Sequence, residues 1–246
     1  MVEVLYVLVY SLLSAVAMII GGLLVVVEKN PGKGSMATFS GFAAGSMLGV
    51  TFAEIIPEAF ELGGIFALLG VAVGIVLFFL IEEFFHLCPA FDHAHKKHKF
   101  DVGILGSFGL GFHSLLDGLA IGAGYEALPV IGLMIAFAIT VHKFPDGIGT
   151  GVLLRVNKRS KSTTIAVTSL VGFLTPLGAV TSSLALGNLS ALMLGFALAF
   201  AGGTLLYIAI CELIPEAYHR GLERRASFSI IFGLLLVLFA CKLFSV

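Results

Sequence analysis

Runs of nearly uncharged, apolar residues recur along the whole of this 246-residue chain, each long enough to cross a bilayer. A transmembrane helix needs about 18 or more such residues in succession. Eight spans are read, at about 2–27, 35–60, 63–87, 101–125, 129–155, 162–186, 190–217 and 227–246. The chain is 59% apolar and only 12% charged, with a mean hydropathy of +1.08. A water-soluble domain of this length would carry about twice that charged fraction. The sequence therefore predicts an all-α, polytopic membrane protein, a single transmembrane domain with no soluble domain between spans. The first segment lacks a basic flank and a cleavage signal, so it is expected to be a retained span.

The basic residues set the orientation. Twelve of the 14 Lys and Arg lie in alternate loops: Lys29 and Lys33; Lys96, Lys97 and Lys99; Arg155, Lys158, Arg159 and Lys161; Arg220, Arg224 and Arg225. The intervening loops at 61–64, 125–129 and 186–190 have none. Basic loops stay on the cytoplasmic side, so both termini are expected outside. Two lysines depart from the pattern, Lys242 near the C-terminus and Lys143 inside a span. The net charge of −1 says nothing about partners for a chain that mostly faces lipid. Cys88, Cys211 and Cys241 are isolated, so neither a disulfide framework nor a thiolate metal site is indicated. No phosphate-binding loop or nucleic-acid module is present.

The chain repeats itself. Glu54-Ile-Ile-Pro57-Glu58-Ala59 in span 2 returns as Glu212-Leu-Ile-Pro215-Glu216-Ala217 in span 7, offset by 158 residues. His113-Ser-Leu-Leu-Asp117-Gly118 in span 4 returns 29 residues later as His142-Lys-Phe-Pro-Asp146-Gly147 in span 5. The paired spans cross in opposite directions. This predicts an inverted repeat of three, two and three spans, with a substrate site at its midplane. Pro57, Pro145, Pro176 and Pro215 interrupt spans, three of them within three residues of an intramembrane acid. A single proline there is an ordinary kink; three beside acids suggest backbone opened around a site.

A charged Asp at mid-bilayer costs about 2.5–3.5 kcal/mol on insertion scales. His and Asp at i and i+4 share a helix face, one turn apart. His113, Asp117, His142 and Asp146 thus supply two imidazoles and two carboxylates, a ligand set suited to a divalent transition metal, Zn²⁺ in particular. Neutral His and ionised Asp are needed, so binding is expected to release protons and weaken in acid. A proton-relay cluster would use the same residue types.

These motifs, with Thr175-Pro-Leu-Gly-Ala179 in span 6, make the chain resemble the ZIP family of divalent-metal transporters over its whole length. The resemblance implies eight helices, movement of Zn²⁺ (often Fe²⁺, Mn²⁺ or Cd²⁺) toward the cytoplasm, homodimers, and an elevator-like slide of a four-helix unit. It makes His113, Asp117, His142 and Asp146 the family's ligands and Met47 a possible further one. Met47 precedes Glu54 by seven residues, which would put both on one helical face. Some members hold a second metal, at positions that read Ser114, Lys143 and Thr175 here. Lys143 is expected to pair with Asp117 and Asp146 and to make the site mononuclear.

Glu54 and Glu212 are expected to flank the centre as carboxylates on the outer and inner sides of the route; hydrogen-bonding of the turns near Pro57 and Pro215 is the simpler alternative. His86, His93, His95 and His98 form a cytoplasmic tract able to capture metal weakly, or merely a solvated basic loop. The reading is Zn²⁺ uptake by alternating access, non-enzymatic, in the cell (inner) membrane, with no nucleic-acid partner. A membrane-embedded zinc hydrolase is the main alternative, although no His-Glu-x-x-His helix is present. A proton-coupled carrier of organic substrates is a third.

Overall fold

The computed structural model describes residues 2–28, 32–84, 102–127, 129–185, 190–219 and 221–244. His86, His93, His95 and His98 lie outside them. The described residues form eight helices: α1 (Val2–Val27), α2 (Lys33–Gly63), α3 (Phe66–Phe84), α4 (Val102–Ala127), α5 (Pro129–Val156), α6 (Lys161–Ala185), α7 (Ala191–His219) and α8 (Glu223–Phe244). Seven are long and apolar enough to cross a membrane; the other is α5, whose middle carries His142, Lys143 and Asp146. The protein is thus an integral, multi-pass membrane protein.

Local signals set the helix ends. Ser190 and Ser160 cap α7 and α6, their hydroxyls accepting the N–H of Met193 (3.3 Å) and Thr163 (3.0 Å). Gly64, at φ 57°, takes the left-handed conformation that closes α2, donating its N–H to the Phe60 carbonyl at 2.8 Å. The side chains are distributed as lipid requires. Phe84 and Phe228 are 79% and 73% exposed, whereas Lys143 and His113 are among the largest side chains buried completely. The basic residues Arg155, Lys158, Arg159, Lys161, Arg224 and Arg225 belong to the ends of α5, α6 and α8 where the chain turns, here termed the basic end.

Helices α2 and α7 each contain one π turn, at Thr51–Ile55 and Ile208–Leu213. The cause is the proline that follows. Pro57 and Pro215 cannot donate to the carbonyls four residues back. The N–H groups just before them, on Ile56 and Ile214, reach back five residues to Thr51 and Ala209. Each π turn holds the acid of its motif, Glu54 or Glu212. The extra residue shifts Glu54 by only a fraction of a turn relative to Met47, and both side chains face α5, Glu54 beside His142. Met47 is fully buried, its methyl group pressed on Gly149 of α5.

The packing has the symmetry of the repeat. α1 lies along α5 as α6 lies along α4; α2 lies along α8 as α7 lies along α3; α4 meets α5, and α1 meets α6. Exchanging 1 with 6, 2 with 7, 3 with 8 and 4 with 5 swaps the members of the first two sets and maps α4–α5 and α1–α6 onto themselves. The correspondence extends to single atoms. Gly147 of α5 abuts the Met18 carbonyl of α1, and Gly118 of α4 abuts the Thr175 carbonyl of α6. Gly21 meets the Phe144 carbonyl, and its counterpart Gly178 meets that of Leu115. Gly74 meets the Phe200 carbonyl as Gly233 meets that of Phe42. Between helices in lipid, where apolar burial adds little, such close approach through small residues is what holds neighbours together.

A Cβ at Gly118 or Gly147 would intrude on a backbone carbonyl that has no rotamer to escape through. Gly118→Ala and Gly147→Ala are each expected to cost about 1–3 kcal/mol, seen as earlier loss of the monodisperse peak when detergent-solubilised protein is heated before size exclusion. Gly32→Ala, with open space around it, should behave as the unmodified chain.

Candidate metal centre

Helices α4 and α5 cross with their His-x-x-x-Asp faces together. One ligand atom from each of His113, Asp117, His142 and Asp146 lies within 4.8 Å of the others, and all four residues are buried. Asp117 Oδ2 is the hub: His113 Nε2 is 3.2 Å away and His142 Nε2 3.5 Å. His113 Nε2 is also 3.7 Å from Asp146 Oδ2. Ligands about 2.0 Å from a tetrahedral metal stand roughly 3.3 Å from one another. The shorter spacings are close to those of a coordination shell, and bringing the widest pair from 4.8 Å to that distance takes about 1.5 Å of side-chain adjustment.

Several polar atoms of the cluster have no hydrogen-bond partner: both ring nitrogens of His113, His142 Nδ1 and Asp146 Oδ1. Buried nitrogens and oxygens left in this way are costly; among them His113 Nε2 lies at the centre, beside both carboxylates. Nitrogen and carboxylate oxygen in equal number fit a divalent transition-metal ion.

Lys143 completes the electrostatics. It is fully buried, and its three N–H donors have three acceptors: Asp117 Oδ2 at 2.5 Å, Asp146 Oδ2 at 3.3 Å and Ser114 Oγ at 3.0 Å. Ser114 in turn faces the Met18 sulfur of α1 at 3.9 Å. The ammonium thus sits against both carboxylates, held by the residue that follows His113. Thr175 is fully buried on α6, its hydroxyl without a hydrogen-bond partner.

Glu54, on the π turn of α2, places Oε2 3.6 Å from His142 Nδ1 and 3.9 Å from the Cys241 thiol. It lines a cavity of about 860 Å³ between α2, α5 and α8, together with Glu58, His142, Ala138, Val237 and Cys241. The cavity runs from His142 toward the end of the bundle opposite the basic loops. Glu212 occupies the equivalent π turn of α7. Its carboxylate is packed over α4, where a Cβ at Gly106 would stand 3.4 and 3.5 Å from the two oxygens. The parts of this arrangement that sequence reasoning missed are Glu58 and Cys241. Glu58 follows Glu54 by one helical turn, a signal that was available; Cys241 has none, since only the packing of α8 brings it there.

Fold and site together define a class: a multi-pass helical membrane protein with a buried His/Asp cluster, able to hold a metal ion, between two inverted helices. Comparison with known proteins specifies it. Residues 92–240 match the sequence profile of the family described as ZIP Zinc transporter. Zinc transporter GufA of Myxococcus xanthus is 33% identical over 244 residues, covering 94% of this chain and 96% of the relative. Zinc transporter ZupT of Corynebacterium aurimucosum is 30% identical over 254 residues, covering 95% of each. The chain belongs to the ZIP zinc transporter family.

Removing one partner of a buried ion pair costs about 3–5 kcal/mol. Lys143→Met should therefore sharply lower the melting temperature of the metal-free protein. Adding Asp117→Asn should restore much of the loss, because the uncompensated carboxylate is then gone. A double-mutant cycle of melting curves in the presence of a chelator measures this.

Proposed function

We propose that this protein carries Zn²⁺ toward the cytoplasm by alternating access, with His113, Asp117, His142 and Asp146 as the ligands of the transported ion. The observation that carries the reading is the convergence of four ligand atoms, within 4.8 Å of one another, on buried positions contributed by two helices of opposite direction. Membership of a transporter family supports transport over the embedded hydrolase. Fe²⁺, Mn²⁺ and Cd²⁺ share enough of this ligand chemistry to compete.

The ion approaches through the cavity beside Glu54, whose charge draws cations inward and whose distance to His142 allows transfer to the ring face of the centre. The carboxylates and imidazoles replace water as ligands. Lys143 keeps one positive charge beside the pair, in the position where some relatives hold a second metal, so the centre takes one ion. Glu212, buried on the matching π turn beside α4, receives the ion on the inner side. The cytoplasmic tract of His86, His93, His95 and His98 captures released metal weakly. The protein works as a homodimer in the cell (inner) membrane, with both termini outside.

Uptake of Zn²⁺ into proteoliposomes, read with a zinc-sensitive dye inside, tests the reading. His113→Ala and Asp146→Asn should reduce uptake to the level of empty liposomes. Glu54→Gln and Glu212→Gln should slow it while leaving the affinity of the centre unchanged, and equal rates in both would remove them from the route. Metal analysis of a chain with His86, His93, His95 and His98 replaced should give one Zn²⁺ per protein; two would overturn the assignment of Lys143.

A further inference from the structure

The repeat permits a residue-by-residue comparison of the two sides of the centre. The glycine contacts fix the register: Gly74 with Gly233 for α3 and α8, Gly45 with Gly203 for α2 and α7. On that register Phe78 corresponds to Val237, Glu82 to Cys241 and Tyr207 to Gly49. The His motifs pair Gly109 with Ala138.

At the outer position, Val237, Cys241 and Ala138 line the cavity that leads to His142 and Glu54, and Gly49, in the place of Tyr207, packs directly against Val237 and the Leu234 carbonyl of α8. At the matching position toward the basic end, the residues are large and joined. The Phe78 ring lies on Gly109, where a Cβ would come within 3.0 Å of a ring carbon. Phe78 and Tyr207 pack ring against ring, with centroids 6.0 Å apart and planes at 55°. The Tyr207 hydroxyl donates to Glu82 Oε2 at 2.7 Å. Phe78, Tyr207 and Glu82 are each at least nine-tenths buried, and Glu82 Oε1 has no hydrogen-bond partner. A buried carboxylate tied by one tyrosine across two helices is a costly arrangement for packing alone.

We propose that Phe78, Tyr207 and Glu82 are the inner closure of the transport route, the Tyr207–Glu82 hydrogen bond bracing the Phe78 ring against Gly109 while the centre is closed to the cytoplasm. The inference rests on the alternating-access reading and adds the residues that enforce it. With the outer cavity formed and its inner counterpart filled, the structure is the state that faces outward. Opening inward requires α4 to slide past the tightly packed α3–α7 pair, which withdraws Gly109 from the Phe78 ring and brings Glu82 to the edge of the way out. The two sides are thus made from one repeat and differ in which residues fill it.

Two native thiols report on the two sides. Cys241 lines the outer cavity. Cys211 corresponds to Ala53, another residue of that cavity, and so marks the inner face. In a Cys88→Ser background, a membrane-impermeant maleimide should label Cys241 from outside in right-side-out vesicles and leave Cys211 protected in inside-out ones. Tyr207→Phe should raise Cys211 labelling about fivefold, as expected for loss of one net hydrogen bond, and Phe78→Ala should raise it further. Unchanged Cys211 labelling in both folded variants would overturn the proposal. The graft Val237→Phe with Ala138→Gly should place the plug in the outer cavity and slow Cys241 labelling; an unchanged rate there also counts against it, even if the first two variants fail to fold. Labelling is read without metal. A chain that gates in this way yet moves no Zn²⁺ would overturn the transport reading and leave the closure standing.

Discussion

Two carboxylates and one ammonium share the dry middle of this bundle, and the rest of the structure follows from the need to keep them there. Neither Asp117 nor Asp146 could remain charged at that depth alone, and Lys143 gives each a partner while Ser114 Oγ accepts a hydrogen bond from the same ammonium. The resulting cluster still leaves ring nitrogens and a carboxylate oxygen without hydrogen bonds. It is compensated well enough to fold and under-coordinated enough to take a cation. A fully satisfied polar network would make a stable core and a poor carrier.

Holding such a cluster requires helices that approach more closely than side chains normally allow. The four tight pairs, α1 with α5, α4 with α6, α2 with α8 and α3 with α7, are all parallel and all use glycine against a carbonyl or a neighbouring residue's backbone. Two of them include the helices that bear the ligands. The π turns of α2 and α7 are the complementary device. They open the backbone where Pro57 and Pro215 remove a donor and bring Glu54 and Glu212 inward at either side of the centre. Close packing surrounds the His/Asp cluster, and local irregularity lies in the two helices that carry Glu54 and Glu212 beside it.

Much of this was legible in the sequence because bilayers impose few solutions. Uncharged runs and the alternation of basic loops are enough to define the helices, and an Asp paired with a His one turn away declares a site where lipid would otherwise reject it. The repeat of Glu54–Ala59 in Glu212–Ala217 was equally visible. What was not legible depends on packing between helices. A π turn cannot be placed from a proline alone. Cys241 reaches the cavity because α8 lies against α2, a fact with no local trace. The Tyr207–Glu82 pair joins residues 125 apart in the chain, and Glu82 by itself reads as the polar end of a span. His86, His93, His95 and His98 fall outside the described residues.

The glycine contacts have one more consequence, for how such a chain can change length. Gly21 and Gly178 occupy equivalent places 157 residues apart, Gly45 and Gly203 are 158 apart, and Gly74 and Gly233 are 159 apart. The two halves have drifted by one residue at each successive connection, yet every helix has kept its seat. Backbone contacts inside the membrane set the register, and the connections outside absorb the difference. Insertions and deletions are therefore free to accumulate between the helices of this architecture, while within a helix a single added residue would turn the ligand face away from its partners.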